Sequence, residues 1–101
     1  MTGFREIPIA DFTSVVDADT QLIDVREPHE VAAGTLDGAT NIPLGSLVER
    51  LHELDKARRT IVFCRSAARS AQAAQFLVNS GFDDVINLAG GMLAHEQGAP
   101  R

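Results

Sequence analysis

Cysteine is nearly missing from this chain: 101 residues hold one, Cys64. A single cysteine excludes an internal disulfide and leaves no second thiol in the sequence to resolve an oxidised first one. Histidine is almost as sparse, and the three residues (His29, His52 and His95) are too scattered to form a metal constellation. Tryptophan and tyrosine are absent and the five aromatic residues are all phenylalanine, so an aliphatic core is expected. No window approaches the ~18 consecutive apolar residues of a membrane span, and the N-terminus lacks a basic stretch followed by an apolar one. These absences lead to the expectation of a reducing, cytoplasmic setting, no membrane association, no metal and no organic cofactor.

Acidic residues are missing from one segment. Lys56 to Phe82 carries five basic residues (Lys56, Arg58, Arg59, Arg65, Arg69) and no acidic one, although the net charge of the chain is −5. The basic segment is short and has no aromatic stacking surface, which argues against a nucleic-acid partner. A small anionic substrate suits it better. The length of 101 residues fits one domain, residues 1–101, able to bury roughly two-thirds of its unfolded surface.

Short apolar runs alternate with helical spacing. Phe4 to Pro8 reads as an edge strand ended by its proline, and Ala10 to Val16 as a turn or two of helix. Gln21-Leu22-Ile23-Asp24-Val25-Arg26 reads as a buried strand with two charges at its end. Pro28 opens a short helix with Glu27 and Glu30 at the end that favours negative charge, and Gly34 stops it. Gly38 to Pro43 gives a turn and a brief extended piece. Ser46 and Glu49 have the spacing of a capping box, starting a helix along Leu47, Val48, Leu51 and Leu54 to about Asp55. Ile61-Val62-Phe63 is a strand buried on both faces, followed at once by a helix over about Arg69 to Ser80, stopped by Gly81. Asp84 to Leu88 is another strand, and Gly90-Gly91 precedes a last helix, Met92 to Gln97. The alternation predicts an α/β fold with a mostly parallel sheet covered on both faces.

This order places Cys64 at the carboxyl end of a strand, just before a helix, where open α/β sheets bind ligands. The backbone N–H groups of Arg65 to Arg69 have no strand partner and are free to point at the thiol. The helix dipole adds ~0.3–1 kcal/mol for negative charge, and Arg65 and Arg69 always favour thiolate because arginine does not deprotonate. Each unit of thiol pKa depression is worth ~1.4 kcal/mol. A lone cysteine at a strand end is also a common small buried hydrophobe. The two flanking arginines weigh against that alternative. Gly90-Gly91, at another strand end, either borders the same cleft or is a plain strand-to-helix turn.

Taken together, these segments resemble the rhodanese family of sulfurtransferases. The resembling pieces are Leu22 to Pro28, Glu30 to Gly34, Gly38 to Leu44, Cys64-Arg65-Ser66, Arg69-Ser70, Gly81 to Val85, Asn87 to Met92 and Gly98-Ala99-Pro100, in order along almost the whole chain. The resemblance implies a five-stranded sheet flanked by helices and a cysteine that carries a sulfane sulfur as a persulfide in a cradle of loop amides. Carried over, Cys64 is the catalytic residue, and Arg65, Ser66, Ala67, Ala68, Arg69 and Ser70 form the substrate-binding cradle, with Arg69 binding the anionic donor. Asp24 and Arg26 match the strand-end pair and would buttress the loop and the next helix, through an ion pair of Arg26 with Glu30. Buried polar pairs at a strand end also commonly just satisfy each other. The implied partners are a small anionic sulfur donor and a thiol or sulfur-carrier acceptor, for a monomer or homodimer.

Departures from the family pattern bear on the loop. Ala67 and Ala68 stand where glycine and asparagine are usual; if the glycine position needs φ > 0, Ala67 is strained by roughly 1 kcal/mol or the loop takes another shape. Thr35 replaces a usual histidine and His95 a usual tryptophan, both outside the loop and read as packing or surface changes. Four residues separate Cys64 from Arg69, whereas related phosphatases of the fold have one more and a wider ring of amides. The shorter loop suits one sulfur atom, and it supplies no general acid for a phosphatase leaving group. Sulfur transfer is therefore the expected activity. A non-turnover binding or persulfide-relay module is the alternative, and phosphatase or arsenate-type chemistry is disfavoured.

Overall fold

The buried run Thr60–Phe63 is the middle of the molecule. The computed structural model describes residues 3–98, so Ala99 and Pro100 of the last resembling segment lie outside the described residues. Strands β1 (Arg5–Pro8), β2 (Gln21–Asp24), β3 (Thr40–Asn41), β4 (Thr60–Phe63) and β5 (Val85–Ala89) form one sheet in the order β1-β5-β4-β2-β3. Every neighbouring pair is parallel, with Ile61 opposite both Leu22 and Ile86. All four residues of β4 are buried, which is what a strand covered on both faces requires. The fold is the expected α/β architecture, and the Phe4–Pro8 expectation of an edge strand holds for Arg5–Pro8.

Side-chain alternation along the strands divides the core. On one face Ile23, Val25, Val62, Cys64 and Val85 pack with Ala73, Ala74 and Leu77 of helix α3 (Ala68–Asn79) and with Leu47 of the short helix α2 (Leu47–Arg50). On the other, Leu22, Ile61, Phe63, Ile86 and Leu88 pack with Ile9 of a 3-10 turn (Ile9–Ser14) and Met92 of helix α4 (Gly91–Glu96). Cys64 thus continues the alternation of β4 and points towards the α3 face. Gln21, a buried polar residue, is satisfied across the sheet by Thr60 Oγ1 at 2.8 Å and by both backbone groups of Asp55. Among the described residues no helix is long and apolar enough to cross a membrane, and no group of three or more His, Cys, Asp or Glu is placed to hold a metal.

Two local expectations fail for identifiable reasons. The helix expected from Leu47 to Asp55 is broken, with α2 lying between 3-10 turns at Leu44–Ser46 and Leu51–Glu53. Ser46 is already turned into the preceding 3-10 segment (φ −103°, ψ −5°) and caps nothing with its side chain, whereas an N-cap needs extended backbone. Leu47 and Val48 sit about 100° apart on a helix, so only one can face the sheet: Leu47 is buried and Val48 is 68% exposed. The capping interaction is made instead at α1 (Pro28–Val31), where the Glu30 carboxylate accepts the N–H of Glu27 at 3.0 Å.

Candidate active site

Beyond Phe63 the chain leaves β4 and turns into α3 within a few residues, and its amides close on the cysteine sulfur. Ala67 N–H donates to Cys64 Sγ at 3.1 Å, Ser70 N–H at 3.4 Å and Ser70 Oγ–H at 3.4 Å. The residue at the N-cap of α3 is Ala67, with no side-chain acceptor to offer. Cys64 Sγ fills that role, taking the N–H of the third helical residue, a group that otherwise has no partner inside the helix. The sulfur therefore lies where partial positive charge from backbone donors concentrates.

Two opposing effects act on the thiol. Burial pushes its pKa up, while the Ser70 hydroxyl and the amides of Ser70, Ser66 and Ala67 pull it down by favouring the charged form, and the balance falls below the ordinary value for a cysteine. Cys64 is 1% exposed. Its environment is not a plain hydrophobic pocket, because those donors converge on it. Arg65, Ser66 and Ala68 form the solvent-facing part of the same loop.

The loop's shape is held from two sides. Ala67 has φ 89°, the one non-glycine positive φ among the described residues, so the strain anticipated for an alanine in the glycine position is present and the loop keeps its turn. Asn87 on β5, buried and on the same face as Cys64, donates from Nδ2 to Ala67 O at 3.3 Å and to Glu6 Oε2 at 2.9 Å. Its Oδ1 is buried with no hydrogen-bond partner. From the far side, the first turn of α4 donates Met92 N–H to Cys64 O (2.9 Å) and Leu93 N–H to Arg65 O (2.9 Å). Turning those two carbonyls towards α4 leaves the following amides free to face the sulfur. Asn87 was among the resembling segments but not among the expected site residues; the signal was a lone amide in the otherwise apolar run Val85–Leu88. Gly90-Gly91 does border the site.

The acidic and basic residues pair differently from the expectation. Arg26 does not reach Glu30. Its Nη2 and Nε bind the Asp24 carboxylate at 2.8 and 3.0 Å, Asp24 also accepts Thr35 Oγ1–H at 2.8 Å, and Arg26 Nη2 donates to Gly34 O at 2.6 Å. Asp24 and Arg26 are only two residues apart and both buried, at 0 and 4% exposure, so each is the nearest relief for the other's desolvated charge. Thr35, itself exposed, joins that network through its hydroxyl. Glu30 faces Arg69 across the site in a bidentate pair, Oε1 to Nη1 at 2.8 Å and Oε2 to Nη2 at 2.9 Å. The Arg69 guanidinium, with the Glu27 amide helping, holds the Glu30 carboxyl at about 2, well below the usual range. Among the sequence candidates, Cys64, Ser66, Ala67 and Ser70 surround the sulfur, Arg65 is exposed, Arg69 is engaged by Glu30, and Asp24 and Arg26 hold the turn behind Gly34. His29, His52 and His95 are exposed.

A cleft of about 240 Å³, lined by Thr20, Gln21, Ile23, Thr40 and Arg58 among others, lies towards the amino ends of β2 and β3, not at Cys64. The donor arrangement on one sulfur atom, at the carboxyl end of the central strand, is the stronger indicator of chemistry.

The chain is similar in sequence and in fold to known proteins. Residues 11–97 match a family model described as "Rhodanese-like domain". A sulfurtransferase of Allochromatium vinosum is 40% identical over 76 residues, covering 75% of this chain and 71% of that protein. The thiosulfate sulfurtransferase GlpE of Shewanella oneidensis is 33% identical over 101 residues, covering 98% of this chain and all of that one. Among solved structures, a rhodanese-related protein from Thermoplasma volcanium superposes with a TM-score of 0.83 at 32% identity, covering 96% of each chain.

Proposed function

The chain belongs to the rhodanese-like domain family, and on that premise we propose that Cys64 takes a sulfane sulfur from thiosulfate or a persulfide donor and passes it to a thiophilic acceptor. The observation carrying this reading is the convergence of the Ala67 amide, the Ser70 amide and the Ser70 hydroxyl on Cys64 Sγ. Such donors stabilise both the attacking thiolate and the anionic persulfide that replaces it.

With thiosulfate, Cys64 Sγ⁻ attacks the outer sulfur. A new S–S bond forms, the original S–S bond breaks, and its electron pair departs with sulfite. The terminal sulfur now carries the negative charge next to the loop amides. In the second half-reaction an acceptor takes that terminal sulfur and the Sγ⁻ thiolate returns; with cyanide the product is thiocyanate. With thiosulfate and cyanide no proton needs to be moved in either half, which suits a loop without a general acid; a thiol acceptor has to attack as its thiolate, its proton going to solvent. These 101 residues hold one cysteine, so an acceptor thiol lies outside them, on a small thiol or a sulfur-carrier protein.

The test is to incubate the protein with thiosulfate, remove the excess, measure intact mass, then add cyanide and assay thiocyanate. Gain of one sulfur atom, removed by cyanide and absent in Cys64→Ser, is the expected result. No gain from thiosulfate or from an organic persulfide overturns the reading. The departure at Ala67-Ala68 favours one variant of it, a relay to a protein partner, which would show as full loading with poor turnover by cyanide.

A further inference from the structure

The charges around the loop bear on which donor it accepts. Arg69 is the guanidinium expected to bind an anion, yet each of its terminal nitrogens donates to an oxygen of Glu30, at 2.8 and 2.9 Å, so its positive charge is already offset although further N–H donors remain on it. Glu30 is itself fixed by the Glu27 N–H, and the Glu27 carboxylate adds a second negative charge near the same guanidinium. Arg26, the other cation behind the loop, is buried against Asp24 and Gly34 O. That leaves exposed Arg65 as the one loop cation with no partner among the described residues. Among the loop's side chains Arg65 is then the cation left to meet an incoming donor, beside the backbone and Ser70 donors already directed at Cys64 Sγ.

A dianion such as thiosulfate must therefore either displace Glu30 from Arg69 or bind beside an already neutralised pair. A donor with one negative charge meets about half of that electrostatic cost, and a neutral one none. We infer that Glu30 is a specificity-determining residue, acting through Arg69, that sets this site against dianionic sulfur donors and in favour of donors carrying at most one negative charge, such as organic persulfides and thiosulfonates. The inference rests on the sulfurtransferase reading for its chemistry, but the charge balance it describes is a property of the loop itself.

Two donors that deliver the same sulfur separate the effect. Thiosulfate carries two negative charges and expels sulfite; methanethiosulfonate carries one and expels methanesulfinate, the S–S bond breaking in the same sense. In Glu30→Gln the ratio of kcat/KM for thiosulfate to that for methanethiosulfonate is expected to rise about fivefold, the scale of one partly exposed ion pair, chiefly through a lower KM for thiosulfate. An equal loss on both donors would show Glu30 to be only a structural support, and an unchanged or lower ratio would overturn the inference as well. Glu30→Met, of similar length and no charge, replaces Gln if that variant folds poorly.

A second arm needs no turnover. In a Cys64→Ser background, titration calorimetry with thiosulfate is expected to show about fivefold tighter binding when Glu30 is also changed to Gln. Binding that is unchanged or weaker contradicts the proposal even if Cys64 proves active. Absence of sulfur loading in the wild-type protein would instead sink the sulfurtransferase reading and leave this arm to decide the charge argument.

Discussion

Gly91 lies against the backbone of Cys64 so closely that a Cβ on it would fall 2.5 Å from Cys64 O, and nearer still to Arg65 O. Side-chain atoms do not approach a carbonyl to that distance, so the first turn of α4 can dock on the loop only through a residue without a Cβ. Its φ of +56° is a second reason for glycine. The docking turns the carbonyls of Cys64 and Arg65 to the amides of Met92 and Leu93 and thereby frees the loop amides for the sulfur.

Gly91→Ala should therefore cost roughly 2 kcal/mol or more of stability, from backbone strain plus the forced displacement of the loop, and should abolish sulfur loading of Cys64. Gly38→Ala is the matching control, since Gly38 also has positive φ (+83°) but nothing within 4 Å of where the added methyl would sit. It should lose only about 1 kcal/mol and load normally. Urea unfolding with intact-mass loading checks both. Equal behaviour of the two variants would show that the close approach of Gly91 does not shape the loop.

Ala67 should tolerate glycine. Holding an L-residue at φ 89° costs about 1–2 kcal/mol, against about 0.5–1 kcal/mol for the extra freedom glycine loses on folding. Ala67→Gly is expected to raise the urea-unfolding free energy by about 0.5–1 kcal/mol, with the Ala67 amide still on the sulfur and loading retained. A destabilised variant would mean that the loop is not strained at this position.

The Glu30–Arg69 pair should appear in the acid dependence of stability. Glu30 titrates at about 2 in the folded protein against the usual 4.5. Its contribution is complete above the unfolded value and is lost as pH falls from about 4.5 through about 2. The stability gap between wild type and Glu30→Gln, followed by denaturant unfolding, should narrow across that window and be constant above it. A gap that stays constant down to about pH 2 would show that the pair does not act through the carboxylate's charge.

Much of the fold was legible in the sequence because the strands are short apolar runs punctuated by glycine and proline. Ile61-Val62-Phe63 and Val85-Ile86 could be read as buried strands without knowledge of their neighbours, and the resemblance of Cys64 to Ser70 located the loop. What escaped depends on contacts between distant parts of the chain. Glu30 and Arg69 are 39 residues apart, and spacing alone offered Arg26, on the same short segment, as the nearer partner. Asn87 reaches Ala67 O across 20 residues, and the docking of Met92 and Leu93 on the loop is main-chain geometry of which the sequence carries only the Gly90-Gly91 pair. The capping-box pattern at Ser46 misled because the preceding 3-10 turn had already fixed that residue's backbone.

The central claim is that hydrogen-bond donors keep Cys64, although 1% exposed, both ionised and within reach of small reagents. The rate of alkylation by iodoacetamide, followed against pH in the native protein, tests both halves at once. The predicted result is modification of folded protein with an inflection below the ~8.5 of a free cysteine, because the Ser70, Ser66 and Ala67 donors outweigh burial, and an inflection moved upward in Ser70→Ala. An inflection at or above that ~8.5, or no reaction until the protein unfolds, would contradict it.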